Sequence, residues 1–312
     1  MTPTVEGNVN ANASMLDKTI CLSISYGKPG NSKKVRNAEL DIQGKDLHVS
    51  KTLMESPEYE AIKSHDRATD AWLDNKSVPS FFRSGIVCVP ILSVEEVDSY
   101  LDKRFIEREA LVEVFMGMYE QRQTEAQARL EHIAVAGVVK DVYNPLDYPA
   151  KHLVRAAFYM EWHWINLGVP GKLKSISMAF FEKAKDKATA KWAEAEEGVT
   201  MLRRMELKGL VDHLVDRLRS DEDGKRRKFH KSTVEKVREF LDSNSIKNVT
   251  NDEELDQLVN ATRKLLEGVD VDSIKDSDHL RSNIQKGFGI VKDCLDQLVV
   301  EGGTRKISFL EE

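Results

Sequence analysis

The sequence predicts a mainly α-helical protein of long amphipathic helices, forming a helical bundle or coiled coil, with a small N-terminal α+β subdomain. Residues 172–219 contain no proline and place apolar residues in steps of three or four, which is the spacing of one helical face. A second stretch with this spacing begins after Ser93. All 8 prolines precede Gly171, so none interrupts a helix in the second half of the chain.

We expect residues 1–14, which are polar and rich in asparagine, to be a disordered tail. The α+β subdomain covers residues 15–92. Polar and apolar residues alternate over residues 19–26, and the apolar run at 86–90 predicts a short buried strand. Residues 66–73 are predicted to form a helix with Trp72 facing inward.

A long-helix bundle is predicted for residues 93–219. Ser93 and Glu96 have the spacing of a capping box, which marks a helix N-terminus. Arg108 and Arg122 interrupt the apolar stripe of this helix, and we expect their aliphatic stems to cover apolar surface.

Two further helices complete the predicted bundle. Residues 151–167 are predicted to form a compact helix that turns Trp162 toward the core. The 172–219 helix follows it, with bends expected at Gly198 and Gly209 because glycine costs about 1 kcal/mol against alanine in a helix.

A C-terminal helical subdomain is predicted for residues 220–303. Ser232 with Glu235 and Thr250 with Glu253 form two more capping boxes. The tail, residues 304–312, carries three apolar side chains that are candidate protein-docking residues: Ile307, Phe309 and Leu310.

Composition restricts the class of protein. The net charge of -6 argues against a surface that binds nucleic acid everywhere. The 3 cysteines are widely spaced, which predicts neither a disulfide framework nor a zinc site and indicates a reducing compartment. Signal-peptide and membrane-span patterns were not found, so we expect a cytoplasmic protein with no membrane contact.

No motif predicts catalysis, and we expect no catalytic residue, cofactor or metal. Glu161-Trp162-His163-Trp164 is unusual, but on a helix its tryptophans would point to different faces, so packing is the favoured interpretation. Residues 221–224 and 270–272 lack the order of a calcium loop, and residues 27–33 lack the order of a P-loop. An enzyme whose site is assembled only in space is a minor alternative.

Two basic surfaces are candidate contacts for nucleic acid or for an acidic partner. The first is a loop followed by a helix N-terminus, where backbone N–H groups favour anions. The second is the lysine face of the 172–219 helix. An alternative for the loop is neutralisation by the acidic residues 221–223, and for the lysines a solvated face. The candidates are Lys225, Arg226, Arg227, Lys228 and Lys231, and Lys183, Lys187 and Lys191.

The order of these parts resembles a phage-borne and bacterial family of unknown function. Its members are encoded near MoxR-type AAA+ ATPases and von Willebrand A-domain proteins. The resemblance rests on three segments: the strand at residues 20–26 followed by lysines, the strand at 85–90 before a long helix, and the basic segment 227–233 before a short helix. The family's paired glycines are represented here by Gly85 alone. The resemblance implies a partner of an ATPase-driven assembly.

These observations predict a non-enzymatic scaffold or adaptor in a larger, phage-related assembly, with self-association or an AAA+ ATPase as its protein partner. The alternative hypothesis is a nucleic-acid-binding protein that uses residues 225–231 and the lysine face of the 172–219 helix.

Overall fold

A computed structural model describes residues 14–35, 49–79, 85–135, 138–219, 227, 229–269, 273–274 and 277–302. Helices account for most of these residues, and most of the short strands lie in the N-terminal half, so the predicted mainly α class is confirmed. None of the described helices has the length and apolar content that crossing a membrane requires.

The helices are α1 Met15–Lys18, α2 Pro57–Lys76, α3 Val94–Leu130, α4 Lys151–Ala156, α5 Leu173–Ile176, α6 Met178–Leu218, α7 Lys231–Lys247, α8 Glu253–Leu266 and α9 Asp278–Gly302. The strands are β1 Thr19–Gly27, β2 Ser32–Val35, β3 Val49–Thr52, β4 Val78–Pro79, β5 Ile86–Pro90, β6 Ile133–Val135, β7 Val138–Lys140 and β8 Tyr159–Ile165.

Contacts divide the chain into two compact units. The first unit comprises residues 1–21, 77–93 and 166–312, and the second comprises residues 22–76 and 94–165. The subdomain boundaries inferred above from composition stay a prediction.

The first unit is built around the C-terminal part of α6, which packs with α7, α8 and α9. Leu207 and Leu214 of α6 and Phe288 of α9 are fully buried there, as expected for helices with one apolar face. Strand β4 runs antiparallel to β5 with Val78 opposite Cys88, and Cys21 of β1 contacts Cys88.

Helix α6 begins later than predicted. It has 41 residues and continues as α-helix through Gly198 and Gly209. Ser177 separates it from the short helix α5, and the Ser177 hydroxyl accepts a hydrogen bond from the backbone N–H of Phe180 at 3.3 Å. This is the N-cap arrangement that serine favours.

The two C-terminal capping boxes predicted the helix starts to within a few residues but named the wrong caps. Helix α7 begins at Lys231, ahead of Ser232, and its N-cap residue makes no side-chain cap bond. Asp252 caps α8 by accepting a bond from the N–H of Leu255 at 3.1 Å. Thr250 is therefore outside the helix start.

In the second unit, α2 and α3 pack on each other over a core that includes Ile62, Phe115 and Phe158. Two antiparallel strand pairs, β2 with β3 and β6 with β7, accompany the helices. In the strand order, β8 is a neighbour of β1. A Cβ added to Gly27 would lie 2.1 Å from a ring carbon of Tyr159, so only glycine allows this close approach.

The helix predicted for residues 151–167 is wrong. The structure has the short helix α4 and then strand β8, whose residues alternate between exposed and buried or half-buried positions at 159–164. Apolar residues at 154, 158, 162 and 165 fit a helical period, yet the aromatic residues of 159–165 favour a strand.

Arg108 is fully buried, and its guanidinium as well as its stem lies inside the second unit. Its Nε donates to Asp66 Oδ1 at 2.7 Å, and its Nη2 donates to the carbonyl of Gly27 at 2.9 Å. One side chain therefore joins α2, α3 and β1. Arg122 is likewise used for an ion pair: it donates to Glu58 and lowers the pKa of that carboxyl to about 2.

More polar groups surround this ion pair. Arg104 donates to the Thr69 hydroxyl and to the carbonyl of His65, each at 2.8 Å. Burial, and then the charge of Arg104, lower the pKa of His65, whose Nε2 lies 3.6 Å from a Glu107 oxygen. Because the Arg108 guanidinium has its own carboxylate partner, we interpret this cluster as structural.

Replacing Arg108 with methionine is predicted to lower the free energy of unfolding by about 3 kcal/mol or more, because Asp66 would remain buried without its partner. Urea unfolding followed by circular dichroism measures the change. Lys103→Met, at a side chain 73% exposed on the same helix, is the control and should cost less than about 0.5 kcal/mol. Similar losses for both variants would contradict the structural role of Arg108.

Candidate partner-binding surfaces

Helix α6 is buried along only part of its length. Every fully buried residue of this helix lies at Trp192 or beyond it. Residues 178–191, the exposed segment, contribute none of them, although Met178 is 59% exposed and Phe180 is 53% exposed. Ile176, just before the segment, is 75% exposed. Apolar side chains are therefore presented to solvent at the start of the longest helix.

The lysines predicted as a basic face lie in this exposed segment. With 3.6 residues per turn, Lys183, Lys187 and Lys191 share one side of the helix with Phe180. All three lysines are exposed, and Lys191 donates to Glu194 at 2.9 Å. Phe180 is therefore an exposed aromatic ring at the N-terminal end of a row of three exposed lysines.

Composition explains why this segment is helical without being buried. Alanine and lysine, both strong helix formers, supply most of its residues after Phe181. The Ser177 cap satisfies one backbone N–H at its start, and Lys174 lies over the Phe181 ring at 4.7 Å. Local interactions of this kind support a helix that continues from a packed one.

The predicted basic loop is described only in part. Lys225, Arg226 and Lys228 lie outside the described residues. Arg227 forms an ion pair with Asp216, and Lys231 lies 3.8 Å from a Glu235 oxygen.

The segment around Arg227 also takes part in the end of helix α6. Arg281 donates to the carbonyls of Arg217 at 2.6 Å and Leu218 at 2.9 Å, which are otherwise unsatisfied at a helix C-terminus. It also approaches the carbonyl of Arg227 at 3.4 Å. The described part of the loop thus has internal partners. The docking candidates Ile307, Phe309 and Leu310 lie outside the described residues.

The tetrapeptide at 161–164 forms a different arrangement from the one expected. On strand β8, Trp162 and Trp164 point to the same side because side chains alternate. Both indole N–H groups donate to Oδ1 of Asp98 on α3, at 3.2 and 3.1 Å. Phe105 meets Trp162 edge-on with ring centroids 6.3 Å apart. The alternating pattern was the signal that could have predicted this pair.

Cys21 and Cys88 are brought together by neighbouring strands of the first unit, contrary to their wide spacing in sequence. Their sulfur atoms lie 3.7 Å apart, both side chains are buried, and no disulfide joins them. The hydrogen bond from Cys88 lowers the pKa of Cys21, against burial, which raises it.

Within the part of the chain that the structure describes, no group of three or more histidine, cysteine or acidic residues could hold a metal ion. An open cleft of about 600 Å³ in the second unit is lined by both signs of charge, including Glu60, Arg122 and Arg129. Comparisons with protein-family models, curated proteins and solved structures give no match to this chain.

Asp98→Ala is predicted to lower the free energy of unfolding by about 1–2 kcal/mol and to shift tryptophan fluorescence, because two half-buried indole N–H groups lose their acceptor. Asp102→Ala, at an exposed position one turn further along α3, is the matched control and should change neither. An unaltered spectrum for Asp98→Ala would contradict the shared hydrogen bonds.

Proposed function

We propose that this protein is a non-enzymatic adaptor that binds a protein partner through the exposed segment, residues 178–191. The proposal rests on one observation: the longest helix leaves Met178 and Phe180 exposed while the rest of it forms the core of the first unit. Apolar residues rimmed by polar ones are typical of interaction sites. In this proposal, the buried part of the helix anchors the segment and the exposed part receives the partner.

Charge indicates the chemistry of the partner. Residues 172–191 contain six lysines against one glutamate and one aspartate, whereas the whole chain has a net charge of -6. Two copies of residues 172–191 would repel one another if they packed side by side. An acidic partner surface would be attracted and oriented by the lysines, while Phe180 would supply the buried anchor.

The form of the complex follows from the helix. We propose that an acidic helix of the partner lies along the exposed segment in a coiled-coil-like pair. The resemblance to the phage-borne family makes a MoxR-type AAA+ ATPase the first partner to test, with this protein as a subunit of that assembly in the cytoplasm.

A second candidate function is nucleic-acid binding. The position of Phe180 among Lys183, Lys187 and Lys191 favours it, since an aromatic ring can stack on a base while lysines contact phosphates. The same surface would serve both functions, so they are separated by experiment.

For the adaptor, Lys187→Glu is predicted to weaken binding to a purified MoxR-type ATPase from the same genome by about tenfold, because it places a like charge against an acidic surface. Biolayer interferometry measures the affinity. Lys185→Glu makes the same charge change two residues away, on the opposite side of the helix, and should weaken binding less than about threefold. Equal losses for the two variants would contradict the assigned face.

For nucleic acid, the three lysines predict a slope of about −2.7 for the logarithm of duplex affinity against the logarithm of salt concentration. Fluorescence anisotropy with a labelled duplex and a labelled single strand measures it. Phe180→Ser should weaken binding to the single strand more than it weakens binding to the duplex. Absence of binding to either strand form at low salt would exclude this candidate.

A further inference from the structure

Strand β8, in the second unit, lies at an edge of its sheet. Among the described residues β1 is its one strand neighbour, since β8 comes last in the strand order. In that part of the chain, no backbone hydrogen bond joins β8 to a loop or a helix. An edge of this kind presents unpaired N–H and C=O groups, which form a template for another strand.

The sequence of β8 lacks several of the usual protections of an edge. Its 7 residues, YMEWHWI, include no proline, lysine or glycine and are rich in aromatic side chains. The strand is about 24 Å long, which is enough for a complete strand pairing. Tyr159, Glu161 and His163 are exposed along one side of it, whereas Met160 is buried on the other.

We propose that β8 is a self-association surface, where two copies of this chain pair their β8 strands antiparallel about Trp162. Residues that lie opposite each other in an antiparallel pair point to the same face of the sheet. Two identical strands related by a two-fold axis must therefore be centred on a residue, and not between two residues. Three central residues are available in the middle of the strand, and they give different neighbours.

Charge selects one of these three registers. A pair centred on Glu161 would place the two Glu161 carboxylates opposite each other, and a pair centred on His163 would oppose the two imidazoles. A pair centred on Trp162 places Glu161 opposite His163 of the second copy, and does so twice. A carboxylate can accept a hydrogen bond from an imidazole N–H across the strands, whereas two facing carboxylates repel each other.

The other face of the strand agrees with the same register. Met160 lies opposite Trp164 of the second copy, which gives two sulfur–aromatic contacts, and Trp162 lies opposite itself at the axis. On the face that carries Glu161 and His163, Tyr159 lies opposite Ile165. Every apolar residue of β8 thus meets an apolar one, and the acidic residue meets the basic one. The self-complementary sequence is what an isologous interface requires.

Sedimentation of the full chain over a range of concentrations tests this inference. The wild type should form a concentration-dependent dimer, because a short strand pair buries little area. His163→Glu should weaken the dimer at least about tenfold, since like charges would then face each other twice. His163→Lys, at the same exposed position, should keep it. The double variant Glu161→Lys with His163→Glu should restore it by reversing both pairs.

Circular dichroism of each variant should match the wild type, since both positions are exposed. A wild type that stays monomeric at every concentration would overturn the inference. So would a dimer that His163→Glu leaves intact, or one that the double variant fails to restore. Lys187→Glu, in the exposed segment of α6, should leave the dimer unchanged, so this test is independent of the adaptor hypothesis. A dimer weakened by Lys187→Glu alone would assign self-association to α6 instead.

Discussion

The ion pair between Arg108 and Asp66 is the constraint on which the second unit depends. It joins the two long helices of that unit, and the bond from Arg108 to the carbonyl of Gly27 ties strand β1 to them. A buried guanidinium is costly unless its charge is matched, and the Asp66 carboxylate supplies the matching charge. The same helix also carries Asp98, which accepts hydrogen bonds from the two tryptophans of β8.

The sequence predicted most of what depends on local spacing. The long helices α3 and α6 followed from apolar periodicity, and the start of α3 followed from Ser93. Strand β8 was missed because its apolar residues satisfy a helical period as well as a strand period, and no glycine or proline separates it from α4. The burial of Arg108 was missed because its partner is 42 residues away in sequence.

The candidate surfaces show the same limit. Lysine spacing identified the face of α6 that carries Lys183 and Lys187, but only burial showed that the core begins at Trp192. Phe180 belongs to the apolar spacing of this helix, yet 53% of its surface is exposed. Sequence periodicity reports that a helix has an apolar side, whereas tertiary packing decides which part of that side finds a partner.

The adaptor hypothesis requires helix α6 to be buried along one part of its length and exposed along the other. Hydrogen exchange along α6 tests this requirement most directly. For the free protein, we predict fast amide exchange over residues 178–191 and strong protection over 192–218, because exchange follows burial and local stability. The boundary should fall near Trp192. Uniform protection along the whole of α6 would contradict the adaptor hypothesis, since it would mean that residues 178–191 are already covered and cannot bind a partner.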